Sequence, residues 1–170
     1  MRTLYLLRHA KSSWKDDSLS DFDRPLKGRG RDAAEQMGKV LAEEKLASGA
    51  GKLKSLLVIS SPAVRARETT EIVLRSSGLE VELRFDERIY EAEVRTLLEV
   101  IASISDKAKT AMLVGHNPGF ENLLAYLTGD DRLMPTCALA RIELKEKSWS
   151  ELAEGAGKLE SFVTPKDLDD

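Results

Sequence analysis

The 170-residue chain contains one cysteine, Cys137, so no internal disulfide can form and a disulfide-stapled secreted scaffold is excluded. It has no apolar run approaching the roughly 20 residues needed to span a bilayer. Positive charge is not in excess either: 26 lysines and arginines stand against 29 acids, a net charge of −3, which argues against general affinity for nucleic acid or anionic membranes. Any positive potential must be local. Internal repeats, low-complexity tracts and linkers are missing, and the N-terminus opens directly into a strand pattern with no basic lead or cleavage site. The expectations are a reducing, cytoplasmic location and one compact domain over residues 1–170, for which a hydrophobic content of 42% provides the core.

What the chain does contain is a strand and helix alternation. Thr3 to Leu7 is apolar on both faces, as in a central strand covered on each side. Gly28 to about Lys45 carries Ala33, Met37, Val40, Leu41 and Leu46 at helical spacing, and Gly49-Ala50-Gly51 reads as a turn before a buried strand from Ser55 to Ile59. Pro62 at a first helical position, with Ser61 as its cap, predicts a helix through Val73 that Gly78 ends. LEVELRF alternates like a strand near the sheet edge, and an acidic turn, DERIYEAE, follows it. A helix through Leu97 and Ile104, a buried strand from Ala111 to Val114, a helix from Pro118 to Gly129, and two late strands in ALARIEL and KLESFV complete the pattern. The predicted fold is a three-layer α/β/α sandwich, with a mostly parallel central sheet, helices on both faces and antiparallel pairing near the C-terminus.

Both histidines follow apolar runs: Arg8-His9 ends LYLLRH, and His116-Asn117 follows AMLVG. The segment VISSPAVRARETT is built the same way and carries Arg65. In an open α/β sheet ligands bind beyond the carboxyl ends of the strands, so Arg8, His9, Arg65 and His116 are expected at one sheet edge. Arginine forks match phosphoryl oxygens bidentately, and a neutral imidazole can attack phosphorus to give a phosphohistidine that water hydrolyses. His9 is the candidate nucleophile, while Arg8, Arg65 and His116 are the phosphate contacts. Glu87 is the candidate proton donor, with Glu91 as the alternative. Ser12, Ser60 and Ser61 can donate to phosphate or serve as caps and turns, and Asn117 can offer an amide or orient its loop.

Other chemistries fit poorly. Arginines flanking the two histidines would repel a cation, and no HExxH or CxxC spacing occurs, so neither a metal nor another cofactor is expected. The KGRGR cluster at 27–31 lacks the GK[ST] of a phosphate-binding loop, and Trp14 and Trp149 read as packing residues. Lys11 and Arg24 read either as a positive rim or as surface charge.

Taken in order, RHAKSSW, RPLKGRGRDAA, SSPAVRARETTE, RIYEAE, VGHNPGFENLLAYLTG and FVTPKDL resemble the histidine phosphatase superfamily, which includes phosphoglycerate mutases, and especially its small SixA-type phosphohistidine phosphatases. The resemblance implies a metal-independent phosphatase with His9 as phosphorylated nucleophile and Arg8, Arg65 and His116 as the phosphate pocket. Glu87-Arg88-Ile89-Tyr90 matches the mutases' acid motif loosely, and RHA stands where many relatives have RHG. The chain is shorter than the mutases and shows no insertion able to close a lid, so an open site is expected. Its partner would be a phosphorylated protein such as a histidine-containing phosphotransfer domain, or else a small phosphate ester. The competing readings are a small-molecule phosphomonoesterase or mutase, and a phosphoprotein-binding module without turnover.

Overall fold

The computed structural model describes residues 1–47 and 56–168. In chain order it has β1 (Arg2–Arg8), α1 (Gly28–Ala47), β2 (Leu57–Ser60), α2 (Val64–Ser77), β3 (Glu82–Phe85), α3 (Val94–Ala102), β4 (Thr110–Gly115), α4 (Gly119–Thr128), β5 (Leu139–Leu144) and β6 (Gly157–Val163). The sheet order is β3-β2-β4-β1-β5-β6. Neighbours from β3 to β1 pair in parallel, whereas β5 runs antiparallel to both β1 and β6. This is the mostly parallel sheet, with antiparallel pairing at its C-terminal side, that the sequence pattern predicts. The expected turn at Gly49-Ala50-Gly51 and the strand start at Ser55 lie outside the described residues.

Alternation within the strands divides the core in two. Leu4, Leu6, Ile59 and Leu113 face one layer, where Leu97 and Ile101 of α3 and Phe120, Leu123 and Leu127 of α4 pack. Tyr5, Leu7, Val58 and Met112 face the other, against Met37 and Leu41 of α1 and Ile72 and Val73 of α2. Central strands buried on both sides need apolar residues at every position, which is why β1, β2 and β4 read as unbroken hydrophobic runs. Each fully buried leucine or isoleucine contributes about 1.5–3 kcal/mol. β3 sits at the sheet edge and is exposed along its length.

Gly78 and Gly129 end α2 and α4 in the left-handed conformation, with φ of 67° and 79°, their N–H groups closing on Leu74 and Ala125 carbonyls. The start of α2 departs from expectation. It begins at Val64 with Ala63 as an uncapped N-cap, because the Ser61 hydroxyl accepts from the Ala63 N–H and faces His116. Trp149 is buried, as expected of a packing residue, but Trp14 is 74% exposed, with Arg24 stacked 3.6 Å over its ring. Cys137 is buried, and burial pushes its thiol up to about 12. No helix among the described residues is long and apolar enough to cross a membrane.

Candidate active site

Backbone pairing at the ends of three adjacent strands builds the site. His9 N–H donates to the Gly115 carbonyl at 2.9 Å and Ser61 N–H to the Val114 carbonyl at 2.9 Å, so the residues following β1 and β2 are pinned against the end of β4. Arg65 enters from the first turn of α2. The four residues singled out in the sequence therefore converge: the two imidazole centroids lie 5.1 Å apart, and the charges of Arg8 and Arg65 act on both rings.

Hydrogen bonding fixes the tautomer of each ring, assigned here from the network. A carbonyl oxygen can only accept, so the 2.7 Å contact between His9 Nδ1 and the Ala10 carbonyl places the proton on Nδ1. Nε2 then carries the lone pair and has no hydrogen-bond partner among the described residues. Burial pushes His9 down to about 3, opposed by its bond to Ala10 and assisted by His116 and both arginines. The ring is neutral at physiological pH, as a nucleophile must be. For His116 the partner is Ser61 Oγ, 2.7 Å from Nε2. That oxygen already accepts from Ala63 N–H and has no other acceptor for its proton among its bonds, so donation of that proton is assigned to Nε2. Nδ1–H of His116 is thus a buried donor without a partner. Burial first, then Arg65, pushes His116 down to about 4, so it is a neutral donor rather than a third cation before an anion arrives.

The guanidinium groups are held at their tips and bare at their elbows. Arg8 Nη1 donates to the Met134 carbonyl at 2.9 Å, while Nε of both Arg8 and Arg65 is buried and unpaired. Arg65 Nη1 donates to the Asp21 carbonyl at 2.6 Å and Nη2 to Asp21 Oδ2 at 3.0 Å. Asp21 is the residue that sequence reasoning missed. Its carboxylate also accepts from the Tyr90 hydroxyl at 2.6 Å and from Arg24 Nε at 3.2 Å and Nη2 at 3.1 Å. The Tyr90 bond first, then Arg65 and Arg24, hold it down to about 2, while burial and Asp21 push Tyr90 up to about 12. Tyr90 in turn stands edge-on to the His116 ring, with centroids 5.4 Å apart.

The remaining candidates have different positions. Glu87 is exposed in a short 3-10 turn, and no hydrogen bond or ion pair joins its side chain to the cluster. Glu91 is exposed, adopts φ 55°, and lines a cavity together with His116. Ser12 reaches the rim indirectly, its hydroxyl accepting from Arg24 Nη1 at 2.7 Å. Both amide hydrogens of Asn117 are engaged, on Glu121 Oε2 at 2.8 Å and on the Met134 carbonyl at 2.9 Å, so it orients the loop over Arg8 and leaves only its oxygen unpaired. Ser60 turns inward, donating to the Ser61 carbonyl and accepting from Thr70.

Unpaired buried donors from two arginines and an imidazole, beside a neutral imidazole with a free Nε2, define a site that can bind a tetrahedral oxyanion and accept its central atom on nitrogen. The comparisons with known proteins supply the family. Residues 4–99 match the model of the histidine phosphatase superfamily (branch 1), and the chain belongs to that superfamily. It is 33% identical over 177 residues to an uncharacterized chloroplastic protein of Arabidopsis thaliana, covering 96% of this chain and 78% of that one. It is 32% identical over 171 residues to an uncharacterized protein of Mycobacterium tuberculosis, covering 94% of this chain and 100% of that one. Among solved structures, a protein of Agrobacterium tumefaciens provisionally named as the phosphohistidine phosphatase SixA superposes with a TM-score of 0.78 at 29% identity, covering 96% of this chain and 98% of that one. A protein histidine phosphatase SixA complexed with tungstate shares the fold, with a TM-score of 0.79 at 22% identity, covering 98% of this chain and 99% of that one. Membership of the family supports phosphatase activity.

Proposed function

We propose that this phosphatase removes phosphoryl groups from protein phosphohistidine, such as that of a histidine-containing phosphotransfer domain, through a covalent phosphohistidine on His9 and without a metal. In the first step the Nε2 lone pair of His9 attacks phosphorus, and the P–N bond to the substrate imidazole breaks with its electron pair leaving on that imidazole. Water then attacks phospho-His9, the Nε2–P bond breaks and inorganic phosphate departs. Arg8, Arg65 and the Nδ1–H of His116 hold the transferring oxygens throughout.

The observation that carries this reading is the His9 ring, neutral and locked by Ala10 with Nε2 free, beside three buried donors that lack partners. Phosphohistidine is favoured over an alkyl phosphate by the acid inventory. Asp21 is held ionised, and neither Glu87, the candidate donor for poor leaving groups, nor its alternative Glu91 makes a side-chain bond into the cluster. A phosphoimidazole can take its proton from solvent on the ring's other nitrogen and leave neutral, so it needs no enzyme acid. The name of the A. tumefaciens neighbour points the same way.

Incubation with a phosphorylated phosphotransfer domain should release phosphate and leave an acid-labile, alkali-stable label on the chain. His9→Ala should abolish both. Label or turnover persisting in that variant overturns the assignment, turnover of sugar phosphates alone favours the small-molecule reading, and phosphate affinity without turnover favours a binding module.

A further inference from the structure

A cavity of about 610 Å³ adjoins the phosphoryl site, with His116 as the wall common to both. Its lining includes Glu91, Glu93, Asn117 and Asn122, and no lysine or arginine. On this wall Asn117 Oδ1 is buried and unpaired, whereas the unpaired Nδ1 of His116 serves the phosphoryl side. The orientation of that amide is set by its neighbours, because exchanging its nitrogen and oxygen would put oxygen against Glu121 Oε2 and the Met134 carbonyl. Asn117 therefore holds a buried, unpaired acceptor behind this wall. The two functional regions have opposite character: cationic donors on the phosphoryl side, and carboxylates with an orphaned acceptor on the other.

We infer that this cavity is the leaving-group subsite and that it selects leaving groups that are cationic or carry N–H donors, while rejecting those that carry carboxylates or further phosphates. The inference rests on the phosphatase reading of His9 and adds the substrate class. An imidazole on a basic protein surface satisfies the two acids. A phosphoglycerate or a sugar bisphosphate would bring its own negative charge against Glu91 and Glu93 with no compensating cation in the lining. Like charges brought together disfavour binding, and the penalty grows as salt is removed.

The phosphate monoesters of tyramine, 4-ethylphenol and 3-(4-hydroxyphenyl)propanoic acid test it, because their phenols leave with similar ease and differ in the charge of a remote group. At low ionic strength kcat/KM should fall in the order cationic, neutral, anionic, with the outer two separated by about tenfold and the ratio shrinking as salt is added. In Glu93→Gln and in Glu91→Gln/Glu93→Gln the cationic-to-anionic ratio should move toward one, a readout that a general loss of rate or of proton transfer does not change. A ratio within about twofold of one in the unaltered protein, or one that persists in the double variant, overturns the subsite. Calorimetric binding of the three esters to His9→Ala separates the two readings. Charge order in binding, with no phosphate released by the unaltered protein from the esters or from a phosphorylated phosphotransfer domain, sinks the His9 mechanism and keeps the subsite, whereas turnover indifferent to charge does the reverse.

Discussion

Asp21 shows how one side chain sets the state of the site before substrate arrives. Its carboxylate stands where an incoming oxyanion would compete for the Nη2 of Arg65, while its backbone carbonyl holds Nη1. Replacing the side chain by asparagine removes the competing charge but keeps the carbonyl, so Arg65 stays oriented and becomes freer to bind an anion. The side chain is 45% exposed, and ion pairs this accessible are worth about 0.2–1 kcal/mol. Asp21→Asn should accordingly tighten inorganic phosphate by up to roughly fivefold, read by calorimetry. Weaker phosphate binding in that variant would mean that Asp21 is needed to hold Arg65 in place, and the competition argument would fail. Nothing in the sequence marks this residue, since an aspartate in the polar stretch SLSDFDRPL has no periodicity, and the partners that tie it to the site, Arg65 and Tyr90, are 44 and 69 residues away.

At the scale of elements, the helix that carries Arg65 also braces the turn that carries His9. Thr69, one turn along α2, is fully buried; its hydroxyl donates to the Arg65 carbonyl at 2.7 Å and accepts from the Ala10 N–H at 2.9 Å. Valine fills the same space but leaves that N–H buried without a partner, a loss of about 1–3 kcal/mol. Thr69→Val should lower the free energy of unfolding by that amount, read from urea denaturation, and also reduce kcat, because the carbonyl of Ala10 fixes the His9 ring. Unchanged stability would show that the Ala10 N–H finds another acceptor. The elements themselves were largely legible: β1, β2 and β4 as unbroken apolar runs, β3 as an alternating edge strand, and Gly78 and Gly129 as helix ends. What the pattern missed was the start of α2. The signal of a serine before a proline was present at Ser61-Pro62, but the serine is turned to His116, a contact set by strand neighbours 55 residues apart. The convergence of Arg8, His9, Arg65 and His116 was legible because strand ends in a parallel sheet share an edge. The wiring among them, through Asp21, Tyr90, Ser61 and Thr69, was not, because it depends on side-chain directions.

For the molecule as a whole, keeping two histidines neutral makes stability depend on pH. His9 is held to about 3 and His116 to about 4, whereas an unfolded histidine titrates near 6.5. Between those values the unfolded chain binds protons that the native state refuses, so unfolding becomes easier as pH falls from about 6.5 toward 4, and for His9 further toward 3. Above that window neither ring contributes any slope. Asp21 behaves oppositely and elsewhere: its lowered pKa adds stability above the unfolded value of 3.8, and that stability is lost as pH drops through about 2. By pH 4 each histidine should cost about 3 kcal/mol relative to pH 7.5, large against the 5–15 kcal/mol typical of a folded domain. Urea unfolding at pH 7.5, 6, 5 and 4 checks this directly. His9→Asn and His116→Asn, which cannot take up a proton, should each flatten the decline by its own share, and the double variant by both. A decline just as steep in the double variant would place the acid sensitivity in the carboxylates and remove the histidines from the argument.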